Sequence, residues 1–411
     1  MSVEQDNIFN EVSERKSNVF ITASAGYGKS HLTRRILNSS LEDTVVCAPT
    51  GVAALNVGGM TAHRMFSLPF GFPSNNEINR ISKTTSEIFS GGAVKRIIID
   101  EAPMIRADHF DLIDTKLRIA TKKDIPFGGI QIVTVGDFHQ LEPVINEEVF
   151  YKYYENPFIF SSDAWDFKTR KLTHCFRQEN LRHVKILNSI RSKDINYKRA
   201  VDEINSIALP YNKDEEVLHL CNYRKDAEII NNKYYDNNFN KEWIFKAKIT
   251  GKWSDDEHPV DVNLKLKVGL KVLIKSNSDE GGYVNGDKGI IKYISNSRIV
   301  VGLNSGKDVF ISTNTWEKFK YKTGSNGIEK SVEASFEQFP IMLGYACSVH
   351  SAQGSTIEDC AIDFGRGCFS HGQAYVALSR IKDLTRIRLK RKIRYSDIIC
   401  RDEVKKFYMG F

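Results

Sequence analysis

No stretch of this chain approaches the roughly 18 uninterrupted apolar residues of a membrane-spanning helix, which excludes a helical membrane protein. The N-terminus, Met1-Ser2-Val3-Glu4-Gln5-Asp6, has neither the basic-then-apolar order of a signal peptide nor the Arg-rich character of a transit segment. Cysteine is sparse. The seven residues Cys47, Cys175, Cys221, Cys347, Cys360, Cys368 and Cys400 are scattered and odd in number, with no C-x-x-C pair. Neither a disulfide framework nor a paired-cysteine metal site is expected, and free thiols in a reducing, intracellular compartment fit best. Internal repeats and long low-complexity tracts are missing as well. No charge sign dominates: 58 Lys+Arg against 51 Asp+Glu leave a net +7, which permits a polyanionic partner without demanding one.

What is present is enough apolar material, 41% of 411 residues, to build several cores. From residue 19 to about 175, short apolar runs (Val19–Thr22, Thr44–Cys47, Arg96–Ile99, Ile130–Val135) alternate with helical patterns. That alternation predicts an α/β fold with a parallel sheet covered on both faces. Residues 58–92 interrupt it with Gly, Pro, Asn and Ser and no clear period, predicting a small excursion. A helical block follows from Gln178 to Tyr235. Alternating segments such as Lys271–Ile274, Gly289–Ile291 and Arg298–Val301, with a hairpin signal at Asn285-Gly286, predict a small inserted antiparallel barrel at 262–340. The expected domains are therefore 1–170, then 171–261 together with 341–411, separated by the barrel.

Three segments carry chemistry. Ala23-Ser24-Ala25-Gly26-Tyr27-Gly28-Lys29-Ser30 is a glycine-rich turn between a β-branched run and the helical pattern His31–Leu37. Successive N–H groups of Ala25 to His31 would cradle the phosphates of ATP, Lys29 would reach the β- and γ-phosphates, and Ser30 would hold Mg²⁺. The first position of the usual G-x-x-x-x-G-K-[ST] pattern is Ala23 here. Next, the strand Arg96–Ile99 ends in Asp100-Glu101, the first suited to Mg²⁺ and the second to orienting or deprotonating water. Finally, the strand Gln131–Val135 runs into Gly136-Asp137-Phe138-His139-Gln140, where the Gln140 amide can bond both water and γ-phosphate; Asp137 and His139 read as loop structure.

These segments, with "CAPTGVAALNVGGMTAH" from Cys47, "PFGGIQ" from Pro126, "LTHCFRQ" from Leu172, "LGYACSVHSAQGSTIEDCAIDF" from Leu343 and "GQAYVALSR" from Gly372, resemble the Pif (petite integration frequency) helicases of superfamily 1, related to RecD. Asp108–Gly129 looks like the signature that sets Pif members apart. The resemblance implies two RecA-like motor domains. It implies that Gln5 contacts adenine, and that Arg177 and Arg380 reach the γ-phosphate from the second domain, so that hydrolysis loosens a tie between domains. It further implies single-strand contacts from Thr50, Gly51, Thr61 and His63 on the first domain and His350, Ser351 and Gln353 on the second, with translocation from 5′ to 3′ and opening of forked duplex; a monomer in solution is expected. Phe66, Phe70 and Phe72 in the excursion are wedge or base-stacking candidates, or else fillers of a small core.

The chain departs from the family pattern at Ser351-Ala352, where Lys-Ser is usual, at Glu142 for Pro, and at Ala102-Pro103 for Val-Ser. Ser351 puts one strand contact in doubt. The basic segment Arg386–Arg394 reads either as a nucleic-acid contact or as a solvated strand edge. An ATP-gated strand-binding protein of recombination type and a small-molecule kinase are the rival classes. ATPase measured with and without single-stranded DNA separates all three.

Overall fold

The computed structural model describes the chain except residues 1, 70, 146–147, 177–179, 213–216, 254–257, 279–281, 325–326 and 354. The chain forms two compact units: Met1–Arg177 with Glu317–Ala334 and Asp402–Phe411, and Gln178–Trp316 with Ser335–Arg401. It is a mixed α/β fold with parallel sheets.

The first unit is built on six strands, β1 (Val19–Thr22), β2 (Thr44–Ala48), β3 (Met60–Thr61), β4 (Arg96–Ile99), β5 (Gln131–Gly136) and β6 (Lys168–Lys171), in the order β3-β2-β4-β5-β1-β6. Every pairing is parallel. Because side chains alternate across a strand, β1 sends Val19 and Ile21 into one apolar cluster and Phe20 into another. β4 does the same, with Ile98 on one face and Ile97 and Ile99 on the other. All residues of β1, β2, β4 and β5 are buried, each large aliphatic contributing about 1.5–3 kcal/mol. β6, Lys168-Thr169-Arg170-Lys171, is a charged edge strand that resists pairing with other chains. The buried cation Arg96 donates from Nε to Gln131 Oε1 (2.7 Å), from Nη1 to Ser40 Oγ (2.9 Å) and from Nη2 to the Val12 carbonyl (2.9 Å), which offsets its desolvation.

The segment 58–92, expected as a small excursion from the sheet within the first domain, leaves the sheet after β3 and packs onto the core of the first unit. It holds the helices Ala62–Phe66, Asn75–Asn79 and Lys83–Phe89, and Met65, Phe66, Ile88 and Phe89 lie fully buried in one cluster with Phe110, Ile113 and Leu117 of the helix Ala107–Thr121. Phe66 stacks on Phe89 at 5.7 Å. Polar bonds fasten the same segment: Lys116 Nζ donates to the Ser67 carbonyl (2.9 Å) and His109 Nε2 meets the Gly71 carbonyl (3.1 Å). Helices of five to seven residues are too short to show a period, which is why the sequence pattern concealed them. Phe66 is thereby a core residue, not a wedge. Phe70 lies outside the described residues, and Phe72 is half-buried against Tyr153 (5.2 Å) and Phe150 (6.5 Å).

Two further pieces of chain belong to the first unit against expectation. In residues 317–334, assigned from sequence to the inserted barrel, Tyr321 is buried in the first unit's aromatic cluster. There Glu333 pairs with Arg64, and Lys330 Nζ donates to the Gly58 carbonyl (2.5 Å). The helix Asp402–Met409, assigned to the second domain, also packs here through Val404 and Phe407.

The second unit carries β7 (His219–Cys221), β8 (Trp243–Lys246), β9 (Lys248–Thr250), β10 (Asn263–Leu266), β11 (Lys271–Ile274), β12 (Lys288–Ile294), β13 (Ile299–Leu303), β14 (Asp308–Ile311), the outer parts of β15 (Asn314–Gly324) and β16 (Gly327–Gln338), β17 (Ile341–Leu343), β18 (Ala346–Ser348), β19 (Cys360–Asp363) and β20 (Ile387–Leu389). Its parallel sheet runs β18-β7-β19-β20. The inserted strands form an antiparallel sheet, β14-β13-β12-β11-β17, whose described ladders leave β14 and β17 as edges. Asn285-Gly286 lies in the β11–β12 connection, with Gly286 at φ 102°.

Candidate nucleotide-binding site

In the sheet order, β4, β5 and β1 are neighbours, so their carboxyl ends deliver the three chemical segments to one edge. The register aligns those ends: Thr22 faces Gly136 and Ile99 faces Thr134.

The glycine loop follows β1 and opens the helix Lys29–Asn38. Gly28 caps that helix at φ 83°, and an added Cβ would lie 2.7 Å from Gln5 Nε2 and 3.1 Å from a Phe176 ring carbon, so both conformation and space demand glycine. Ala23, the departure from pattern, is absent from the positive-φ residues and its methyl is buried in the apolar cluster; a side chain is accommodated there. The Tyr27 ring is buried in that cluster, which leaves its backbone for phosphate; Ser30 and His31 are exposed at the helix start. Lys29 Nζ donates to the carbonyls of Ala23 (2.6 Å) and Ser24 (3.1 Å), and so lies over the loop. Gln5 is buried. Its Oε1 accepts from Ser2 N–H (3.5 Å) in a capping box and its Nε2 donates to the Gly28 carbonyl (3.4 Å), tying the first helix to the loop.

Asp100 directly follows β4, and its N–H donates to the Cys47 carbonyl (2.9 Å). Burial, and secondly the neighbouring Glu101 carboxylate, hold the Asp100 pKa well above the usual carboxylate range; Lys29 and Arg34 act in the opposite direction, which puts the loop lysine within electrostatic reach of the acidic pair. Glu101 adopts φ 49°, a left-handed conformation uncommon for a non-glycine residue. Pro103 explains its own departure from pattern by packing on Gly136, where a Cβ would lie 2.1 Å from Pro103 Cδ.

These residues fit a hard cation. Two adjacent carboxyls, one of them destabilised as an anion by burial, gain from a divalent ion. Among the described residues no group of three His, Cys, Asp or Glu side chains makes a self-sufficient metal site. Mg²⁺ suits this, because it is commonly held by one or two carboxylates together with substrate phosphates.

Gln140 is buried beyond β5, in a turn closed by Gln140 N–H to the Asp137 carbonyl (2.9 Å). Asp137 Oδ1 accepts from His139 N–H (3.1 Å), so both residues shape the loop.

β2 and β3 are parallel neighbours, with Ala48 facing Thr61, which brings the expected strand contacts of the first unit side by side. The hydroxyls of Thr50 and Thr61 are committed to capping: they accept from Ala53 N–H (3.2 Å) and Arg64 N–H (3.4 Å). Thr50 is exposed and Gly51 half-buried. His63 is half-buried, edge-on to His109 at 5.3 Å, and burial, His109 and Arg106 push its pKa down to about 4. At neutral pH it offers a neutral imidazole. In the second unit, His350 and Ser351 are exposed after β18, Ser351 Oγ lies 2.6 Å from Ser348 Oγ, and Gln353 is half-buried.

Arg380 is buried inside the second unit, with Nε donating to the Val376 carbonyl (3.0 Å) and Nη2 to Ser379 Oγ (2.9 Å). Arg177 lies outside the described residues. Within the basic segment Lys390 pairs with Asp363 (2.5 Å) and Arg391 with Asp397 (2.7 Å). Sequence reasoning missed Tyr408, whose hydroxyl reaches Thr22 and Phe138 from the chain's far end; with 270 residues between Phe138 and Tyr408, no local signal marks it.

A parallel sheet that delivers a glycine loop, an acidic pair and a buried amide to one edge defines a P-loop nucleotide-binding protein. A family model described as PIF1-like helicase matches residues 1–198. A crystal structure of Bacteroides sp Pif1 in complex with ADP-AlF4 is 31% identical with a TM-score of 0.91, over 100% of this chain and 96% of that one. The chain belongs to the PIF1-like helicase family. It is 31% identical to the ATP-dependent DNA helicase PIF1 of Xenopus laevis over 95% of its own length and 61% of that relative, and 28% identical to the ATP-dependent DNA helicase Pif1 of Bdellovibrio bacteriovorus over 90% of its own length and 84% of that relative.

Proposed function

We propose that this chain is an ATP-driven DNA helicase with two RecA-like motor domains and a small barrel-like insertion, moving 5′ to 3′ on single-stranded DNA as a monomer within the cell. The reading rests above all on the meeting of Lys29, Asp100-Glu101 and Gln140 at one sheet edge in a chain of this family. Backbone N–H groups of Ala25 to His31 receive the phosphates and Gln5 lies beside them on the adenine side. Lys29 meets the β- and γ-phosphates. Ser30 and Asp100 would hold Mg²⁺, which supplies charge neutralisation at the phosphate oxygens. Glu101 accepts the proton of the attacking water, and Gln140 bonds that water and the γ-phosphate. Arg177 and Arg380 act on the charge that develops at the γ-phosphate.

Thr50, Gly51, Thr61 and His63, with His350, Ser351 and Gln353, track the strand through phosphate and sugar, so binding is strongly salt-dependent and weakly sequence-dependent. Forked duplex is opened near Phe70 or Phe72, of which Phe72 is half-buried. The test is ATP turnover with and without oligo-dT, followed by unwinding of duplexes bearing only a 5′ or only a 3′ tail. DNA-stimulated turnover with opening from the 5′ tail is expected. Turnover indifferent to DNA refutes the motor, and opening only from the 3′ tail refutes the direction.

A further inference from the structure

The helix Asp402–Met409 is held to the first unit by apolar contacts of Val404 and Phe407 and by the side chain of Tyr408. Val404 is fully buried, and Phe407 stacks on Phe160 at 4.6 Å and meets Phe138 edge-on at 5.1 Å. The next residue makes different contacts. The Tyr408 ring lies parallel to the His139 imidazole, 4.5 Å between centroids. Its hydroxyl accepts from Phe138 N–H (3.2 Å) and shares a 2.7 Å hydrogen bond with Thr22 Oγ1. Thr22 is the last residue of β1 and precedes the phosphate loop directly; Phe138 and His139 directly precede Gln140. The β1–β5 ladder ends where Thr22 faces Gly136, and beyond it the two chains part into separate loops. Tyr408 bonds both at that point of divergence.

We infer that Tyr408 is a positioning residue for ATP hydrolysis: by joining the end of the phosphate-loop strand to the segment that carries Gln140, it fixes the Gln140 amide relative to the bound γ-phosphate. The inference rests on the hydrolytic reading above. Phosphate binding depends on backbone N–H groups and Lys29, whereas the Tyr408 hydroxyl bonds Thr22 and Phe138, so nucleotide affinity should change little without it. Turnover should fall, because displacement of a water-orienting group by an ångström is costly to a reaction that needs near-attack geometry.

The experiment uses the full chain and two isosteric changes, Tyr408→Phe and Thr22→Val, which remove opposite ends of the same hydrogen bond and leave the ring stack and apolar docking in place. At saturating oligo-dT, each should lower kcat roughly tenfold with KM for ATP within about twofold, and binding of a fluorescent ATP analogue should be unchanged. Adding Tyr408→Phe to Gln140→Ala should slow the enzyme no further, since the phenol acts through that amide. Wild-type-like kcat in both variants, a loss carried by KM, or additive losses with Gln140→Ala would overturn the inference. Should Tyr408→Phe melt below the assay temperature, Thr22→Val decides alone. Absence of DNA-stimulated turnover in the wild-type chain identifies failure of the hydrolytic reading itself, and the inference falls with it.

Discussion

The carboxamide of Gln5 and the backbone of Gly28 are mutually dependent: Gln5 Nε2 donates to the Gly28 carbonyl at 3.4 Å, and a Cβ on Gly28 would press to 2.7 Å of that same nitrogen. Gly28→Ala therefore meets two penalties at once, the left-handed φ of 83° and the displaced amide. A stability loss of about 1–3 kcal/mol is expected, with ATP affinity falling as the first helix detaches from the loop. Urea melts and nucleotide titration check both effects.

Lys29→Ala should abolish hydrolysis while leaving the sheet folded. Glu101→Gln should retain nucleotide and DNA binding but lose roughly 10²–10⁴-fold in kcat, because an amide cannot accept the proton of water. Single-turnover assays beside binding titrations separate the two, and a Glu101→Gln protein unable to bind ATP would assign that side chain a structural role.

His63 gives a signed pH dependence. Its folded-state pKa, about 4, lies below the ordinary 6.5, so the unfolded chain binds more protons between those values and stability falls as pH drops through that window. From pH 7 to pH 5 the loss should be about 1–2 kcal/mol. His63→Gln should flatten that part of the urea-melt pH profile; an unchanged slope would place the titration elsewhere.

Phe66→Ala and Phe72→Ala should part company. Phe66 is fully buried in the aromatic cluster and its truncation should cost about 3–5 kcal/mol, read as loss of soluble protein. Phe72 is half-buried, and its loss should cost about 1 kcal/mol while strand separation drops and DNA-stimulated ATPase persists. Full retention of unwinding in Phe72→Ala would remove Phe72 as the wedge and leave Phe70 to be tested in the same way.

Residue type and spacing were enough to single out the glycine-rich turn, the Asp100-Glu101 pair and Gln140 as candidates, because each is a short stretch of chain with its own local geometry. The buried strands were legible for the same reason: each is an apolar run with one environment along its length. Tertiary structure alone decided the strand order that brings β4, β5 and β1 together, since nothing local encodes which buried strand neighbours which. It decided that Phe66 is core and Phe72 is not, a distinction set by packing against a helix some forty residues away. It also returned residues 317–334 and 402–411 to the first unit, where Tyr321, Val404 and Phe407 find an apolar cluster large enough to bury them. An amphipathic segment declares that it has a face to bury. Which core receives that face depends on shape and reach across the whole folded chain, and so Tyr408 meets Thr22 only in three dimensions.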